Sequence, residues 1–199
     1  MKRGFRLAIV LAVFGCSSSD FRTIDPEQRA AVMEEGGRTA DALISNLVSH
    51  LSAAMAEGGP AAAVEFCSTN ALPLTAQVAS ARGVEVKRTS LRYRNPANAP
   101  DEHETEALRH FERVLEETGE LPDAWVQRVG LEEFRYYRPL VVGAPCLQCH
   151  GTADDIDQDV VEILAERYPD DMATGYAAGD FRGLVRVSIP EDRIELPGG

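Results

Sequence analysis

Phe134-Arg135-Tyr136-Tyr137-Arg138-Pro139-Leu140-Val141-Val142 runs through Gly143-Ala144-Pro145 into Cys146-Leu147-Gln148-Cys149-His150. The first nine residues are rich in aromatic and β-branched side chains, the composition of a half-buried strand. The last five form a C-x-x-C-H run, the spacing of a covalent c-type haem attachment. Two thiols three positions apart can add across the two vinyl groups on one porphyrin edge. The next residue's imidazole then falls beneath the iron as proximal ligand. Two other chemistries share the pattern. A zinc site would need four ligands, a set that Cys67 could complete. A dithiol motif would open a helix after a strand and leave His150 incidental.

Upstream, Asp25-Pro26 opens a helix with Pro26 at its first position. Leu43, Ile44, Leu47, Val48, Leu51, Ala54 and Met55 share one face of it at helical spacing. Gly36-Gly37 is expected to bend or interrupt this helix and Gly58-Gly59 to end it. Pro60 opens the next, with Val64, Cys67 and Ala71 on one apolar stripe. Pro73 begins a further segment and Gly83 is placed to cap it. Val84 to Thr89 alternates apolar and charged residues, as a strand does. Arg92 to Pro100 holds two prolines and two asparagines and is irregular. Asp101 caps a helix to Thr118, with Ala107, Leu108, Phe111, Val114 and Leu115 inward and Gly119 closing it. Ile156, Val160, Ile163 and Leu164 suggest a short helix, and Leu184 to Ile189 a last strand. The class is α+β: antiparallel strands flanked by helices, one of them long and N-terminal.

The 199 residues suffice for one domain with a genuine core, here 25–199. The formal net charge of -12 repels phosphates and excludes nucleic acid as a partner. It suits docking on a basic protein, or simply a well-solvated surface.

Lys2, Arg3 and Arg6 precede an apolar run, Leu7 to Phe14, that is too short to span a bilayer. Residues 1–15 therefore read as a signal peptide. Val13-Phe14-Gly15-Cys16 resembles a bacterial lipobox, making Cys16 a lipidation site on a tether, 16–24. Ser17 carries no inner-membrane retention signal, so the expected location is a lipid anchor in the outer membrane, facing the periplasm. Export also agrees with haem attachment, which takes place outside the cytoplasm.

The second axial ligand is less explicit. A lone thiol on an apolar helix face is more often inert packing than a ligand, but export to an oxidising space and the use of the other mature thiols by the motif make Cys67 a candidate. Competing ligands are His50, His103, His110, Met33, Met55 and Met172, of which His50 borders an apolar helix face. Arg92, Arg94 and Arg138 are candidate partners for the haem propionates.

Arg94-Asn95-Pro96-Ala97-Asn98-Ala99-Pro100-Asp101, Tyr136-Tyr137-Arg138-Pro139-Leu140 and Cys146 to Gly151, with Glu65-Phe66-Cys67 and Val187-Ser188-Ile189-Pro190, resemble a family of exported single-haem c-type cytochrome domains with a PAS-like fold. That family, long catalogued as a domain of unknown function, occurs alone and at the sensory end of signalling proteins. His103-Glu104 departs from it where an aromatic and an acid are usual. The resemblance implies one covalent haem c, with iron held by His150 and by Cys67.

A thiolate-histidine pair closes the iron and disfavours enzymatic turnover. The expected function is therefore a redox or gas-sensing module that needs a signalling partner, or alternatively a periplasmic electron-transfer cytochrome. Asp155, Asp157, Asp159 and Glu166 match four positions of a calcium loop, but Val160 stands where its turn needs glycine.

Overall fold

The computed structural model describes residues 24–194. The expected signal segment 1–15 and the tether up to Thr23, Cys16 included, lie outside the described residues.

The first helix, α1 (Pro26–Arg82), starts where the Asp25 carboxylate accepts the Glu27 backbone N–H at 2.8 Å and Pro26 needs no donor partner. It runs unbroken through Gly36-Gly37, contrary to the expected interruption. The reason is packing: Gly36 is buried and a Cβ there would overlap the Tyr136 ring, so the glycine is a notch for that ring. The break comes at Gly58 and Gly59, where Gly59 has φ 71° and α1 divides into 26–57 and 60–82. Pro73 does not start a new segment. It sits inside the second half on the exposed face, where water can take the carbonyl that its ring leaves unpaired. Gly83, at φ 65°, closes the helix in the left-handed conformation.

Four strands follow in one antiparallel sheet: β1 (Glu85–Thr89), β2 (Trp125–Val129), β3 (Glu133–Val141) and β4 (Phe181–Pro190), in the order β1-β4-β3-β2. Alternation divides them between two faces. Val126, Phe134, Tyr136, Val185, Val187 and Ile189 pack on Val32, Ala40 and Leu43 of α1. Tyr137 and Leu184 pack on the other side against Ala107, Leu108 and Phe111 of α2 (Glu102–Thr118). The molecule is thus a three-layer α+β fold, a PAS-like antiparallel sheet flanked by helices with a long one at the N-terminus, as expected. The hydrophobic pattern does not announce β2, whose five residues alternate only weakly.

α2 begins with a capping box: Glu104 N donates to the Asp101 side chain at 2.7 Å and Asp101 N to the Glu104 side chain at 2.9 Å. Glu104 is fully buried, and its carboxylate also takes Lys87 at 2.7 Å and Arg186 at 3.1 Å, which locks α2 onto β1 and β4. The last two helices are α3 (Leu147–His150) and α4 (Gln158–Arg167). α4 lies against the second half of α1 through Val64, Ile156, Val160, Leu164 and Tyr168. Asp155 is spent on the Thr152 N–H and hydroxyl, and no metal-binding cluster of three His, Cys, Asp or Glu side chains occurs among the described residues.

Candidate haem-binding site

β3 delivers the chain through a 3-10 turn (Ala144–Cys146) into α3, a single helical turn. One turn places residues three apart on the same side, so Cys146 and Cys149 share a face. Cys146 is exposed, whereas Cys149 is half-buried and packs in the apolar cluster of Val64 and Tyr168.

His150 is held from behind. Its Nδ1 lies 2.7 Å from the Ala173 carbonyl, and its ring meets the edge of Tyr176 at 6.4 Å between centroids. Backbone bonds from Gly175 N to Gly151 O and from Tyr176 N to His150 O fasten the same segment. A proton on Nδ1 shared with that carbonyl leaves Nε2 with its lone pair free, the tautomer a metal needs. Burial first, then the nearby guanidinium of Arg94 and that of Arg182, push the imidazole down to about 3 against the opposing pull of the Ala173 carbonyl. His150 is therefore neutral at any physiological pH.

Cys67, on 60–82, is half-buried, and burial raises its thiol above the ordinary value while Arg88 and Arg94 pull it down. Burial also raises the Cys149 thiol; Arg94 opposes this, and the charge of Cys67 adds to it. Tyr168 is raised by burial and then by Cys67. Cys67, Cys149, Tyr168, Arg88 and Arg94 thus occupy one electrostatic neighbourhood, where α1, α3 and α4 meet.

The rival ligands lie elsewhere or are otherwise engaged. His50 is exposed, with Nδ1 2.8 Å from Asn46 O and its ring stacked on Phe66 at 5.8 Å. His110 stacks on Trp125 at 4.6 Å, and burial lowers its pKa. His103 is half-buried at the start of α2, Met33 and Met172 are exposed, and Met55 is half-buried.

The three candidate propionate arginines are committed to protein. Arg94 bonds to Asp171 at 2.9 Å and to the carbonyls of Cys149 and Ala173, which ties the motif to the segment behind His150. Arg92 bonds to the carbonyls of Met172 and Thr174 and lies over Tyr176 at 4.1 Å. Arg138 reaches Asp41 at 2.9 Å. Two arginines near the site carry no expectation from the sequence, Arg88 and Arg182. The signal for Arg88 is its register: it follows Val84 and Val86 at an inward position of the alternation, where an apolar residue belongs.

These residues fit a haem. The porphyrin supplies four nitrogens, so the protein need provide only two axial donors and two thiols, and no closed cage of side chains is required. His150 presents the right nitrogen, and Cys67 shares a neighbourhood with the motif. Arg88 Nε is buried without a hydrogen-bond partner among the described residues, a donor that a carboxylate can satisfy. Neither of the two clefts described, about 280 and 400 Å³, is lined by the four motif and ligand residues.

No curated protein matches the chain. A crystal structure of the cyanobacterial heme-protein Tll0287 is similar at 29% identity with a TM-score of 0.57, covering 84% of this chain and 98% of that one. The Tll0287-like family profile matches residues 20–190. The chain belongs to the Tll0287-like family.

Proposed function

We propose that the protein is an exported c-type haem protein acting as a redox or gas-sensing module. One haem would be held through Cys146 and Cys149, with His150 and Cys67 as the residues that would ligate its iron. The observation that carries the reading is the C-x-x-C-H turn with His150 neutral, half-buried and held through Nδ1 so that Nε2 faces outward from the Ala173 carbonyl. The likeness to a heme-protein supports it. When bound, the haem supplies a one-electron redox centre.

The chain's own residues do the rest. Ala173 O fixes the imidazole tautomer, Arg94 anchors α3 to the loop behind it, and Arg88 and Arg94 favour the charged form of Cys67. Two protein ligands leave no open coordination position, so the protein is not an enzyme in this reading. Its location is the periplasmic side of the envelope, lipid-anchored through Cys16 in the outer membrane, and its output passes through a partner protein there. Electron transfer is the second reading, favoured by the net charge of -12, which would steer a basic redox partner. Gas binding that changes affinity for a partner selects the sensor, and reversible one-electron titration with retained ligands selects the carrier.

The test is the optical and EPR spectrum of purified holoprotein beside Cys67→Ala. The expected result is loss of the thiolate-type low-spin ferric signal. An unchanged signal would remove Cys67 as ligand and bring His50 forward.

A further inference from the structure

Lys87 and Arg88 are neighbours on β1, and alternation sends their side chains to opposite faces. Lys87 goes to the α2 side and meets Glu104 at 2.7 Å. Arg88 goes to the α1 side with Val86, toward Cys67 and Tyr168, whose charges it feels.

Their electrostatic situations differ sharply. The other cations of the sheet interior are matched with carboxylates: Lys87 and Arg186 with Glu104, Arg135 with Asp101 and Glu133, Arg128 with Glu191. Arg94 has Asp171. Arg182 lacks a carboxylate, but it donates to Arg92 O at 3.0 Å and lies over the Tyr176 ring at 5.3 Å. Arg88 makes no ion pair among the described residues, and its Nε is buried with no acceptor. A half-buried guanidinium whose inner nitrogen has no acceptor offers a donor that a bound anion would satisfy. Burial accordingly lowers its pKa, while Cys67 and Tyr168 pull it back up.

Space for such an anion adjoins it. Arg88 lines an open cleft of about 400 Å³ between the second half of α1 and β1, with Leu72, Thr75, Lys87, Asn98 and Arg186. Of the basic side chains that border that cleft, Lys87 and Arg186 are already paired with Glu104, which leaves Arg88 as the one without an anion among the described residues. Its other wall is apolar, which suits a group with a hydrocarbon body and a carboxylate end.

We infer that Arg88 would bind a haem propionate, its planar fork pairing with the carboxylate. The inference rests on the haem reading above and moves the propionate contact from Arg92, Arg94 and Arg138 to a residue with no other partner. Cys67 itself is the competing acceptor for Arg88, and the two assignments separate by spectroscopy.

The experiment is resonance Raman spectroscopy and spectroelectrochemistry on holoprotein from a host competent in cytochrome maturation, comparing wild type with Arg88→Gln, Arg88→Lys and Arg138→Gln. Arg88→Gln shifts the propionate-bending band and lowers the midpoint potential, because a positive charge that favoured the reduced haem is gone. The thiolate-ligand bands stay in place. Arg88→Lys keeps the charge without the fork, so it shifts the band and leaves the potential near wild type; it is read alone should the glutamine variant not accumulate. Arg138→Gln, which loses the contacts to Asp41 and to the Tyr136 hydroxyl, moves neither quantity. An unmoved propionate band in coloured Arg88 variants overturns the assignment, and so does a change confined to the thiolate bands, which would give Arg88 to Cys67. Colourless wild-type protein would instead remove the haem reading beneath it.

Discussion

His150 owes its readiness as a ligand to residues well beyond the motif. Ala173 O holds Nδ1, and Arg94 joins that loop to α3 through Asp171 and two carbonyls. The Arg94 and Asp171 side chains are only 13% and 11% exposed, so their ion pair is poorly screened by solvent. Arg94→Ala leaves Asp171 without its cation and should cost about 3 kcal/mol by urea denaturation, the scale of a broken buried pair. A loss below about 1 kcal/mol would mean that the pair is solvated and the clasp is held by backbone alone. The C-x-x-C-H residues could be named as candidates because their spacing matches a known attachment chemistry. The clasp could not, since Ala173 acts through its backbone, which no side-chain pattern announces. Arg88 was half legible: a charge at an inward strand position marks a conflict without naming its resolution.

Among the elements, α2 was the most readable, because its start and stop are written in Asp101, Glu104 and Gly119. Burial would raise the Asp101 carboxyl, but the Glu104 backbone N–H and then Arg135 outweigh it and hold the group below its ordinary value. A depressed folded pKa means the contribution is present above the unfolded value of about 3.9 and is lost as pH falls through the folded one. Asp101→Ala should therefore cost about 1 kcal/mol at pH 7, as lost caps do. Urea denaturation should show that gap narrowing as the pH is lowered below 3.9, and a gap independent of pH would contradict the charged cap. α1 was readable in its stripe and its Gly58-Gly59 break. It was misread at Gly36, because a glycine that admits a neighbouring ring looks in sequence like one that bends a chain. Gly36→Val would force the Tyr136 ring away from the helix. A loss of about 2 kcal/mol or more is expected in thermal unfolding, as for an overpacked core, and wild-type stability would contradict the notch. β2 escaped notice because only Val126 in it is fully buried, which leaves too little alternation to see.

At the scale of the whole molecule, the sheet separates two kinds of packing. Its α2 face is closed by the Glu104 network of Lys87, Arg186 and Asp101, in which each charge has a partner. Its α1 face leads to Cys67, Cys149 and the half-buried Arg88, where thiols, a neutral imidazole and an unmatched guanidinium stand together. Such a division fits a rigid scaffold on one side and a cofactor seat on the other. The fold class followed from strand alternation and helix caps, whereas the proposed seat depends on the meeting of α1, α3 and α4, which no local pattern encodes. The central claim is that Cys146 and Cys149 carry the haem as thioethers. Its most direct test is acid–acetone treatment of the protein made in a maturation-competent host, followed by intact mass spectrometry. The account predicts that colour stays with the polypeptide and that its mass rises by one haem, an increment lost when both cysteines are changed to alanine. Haem passing wholly into the solvent, or a polypeptide of unmodified mass, would contradict it.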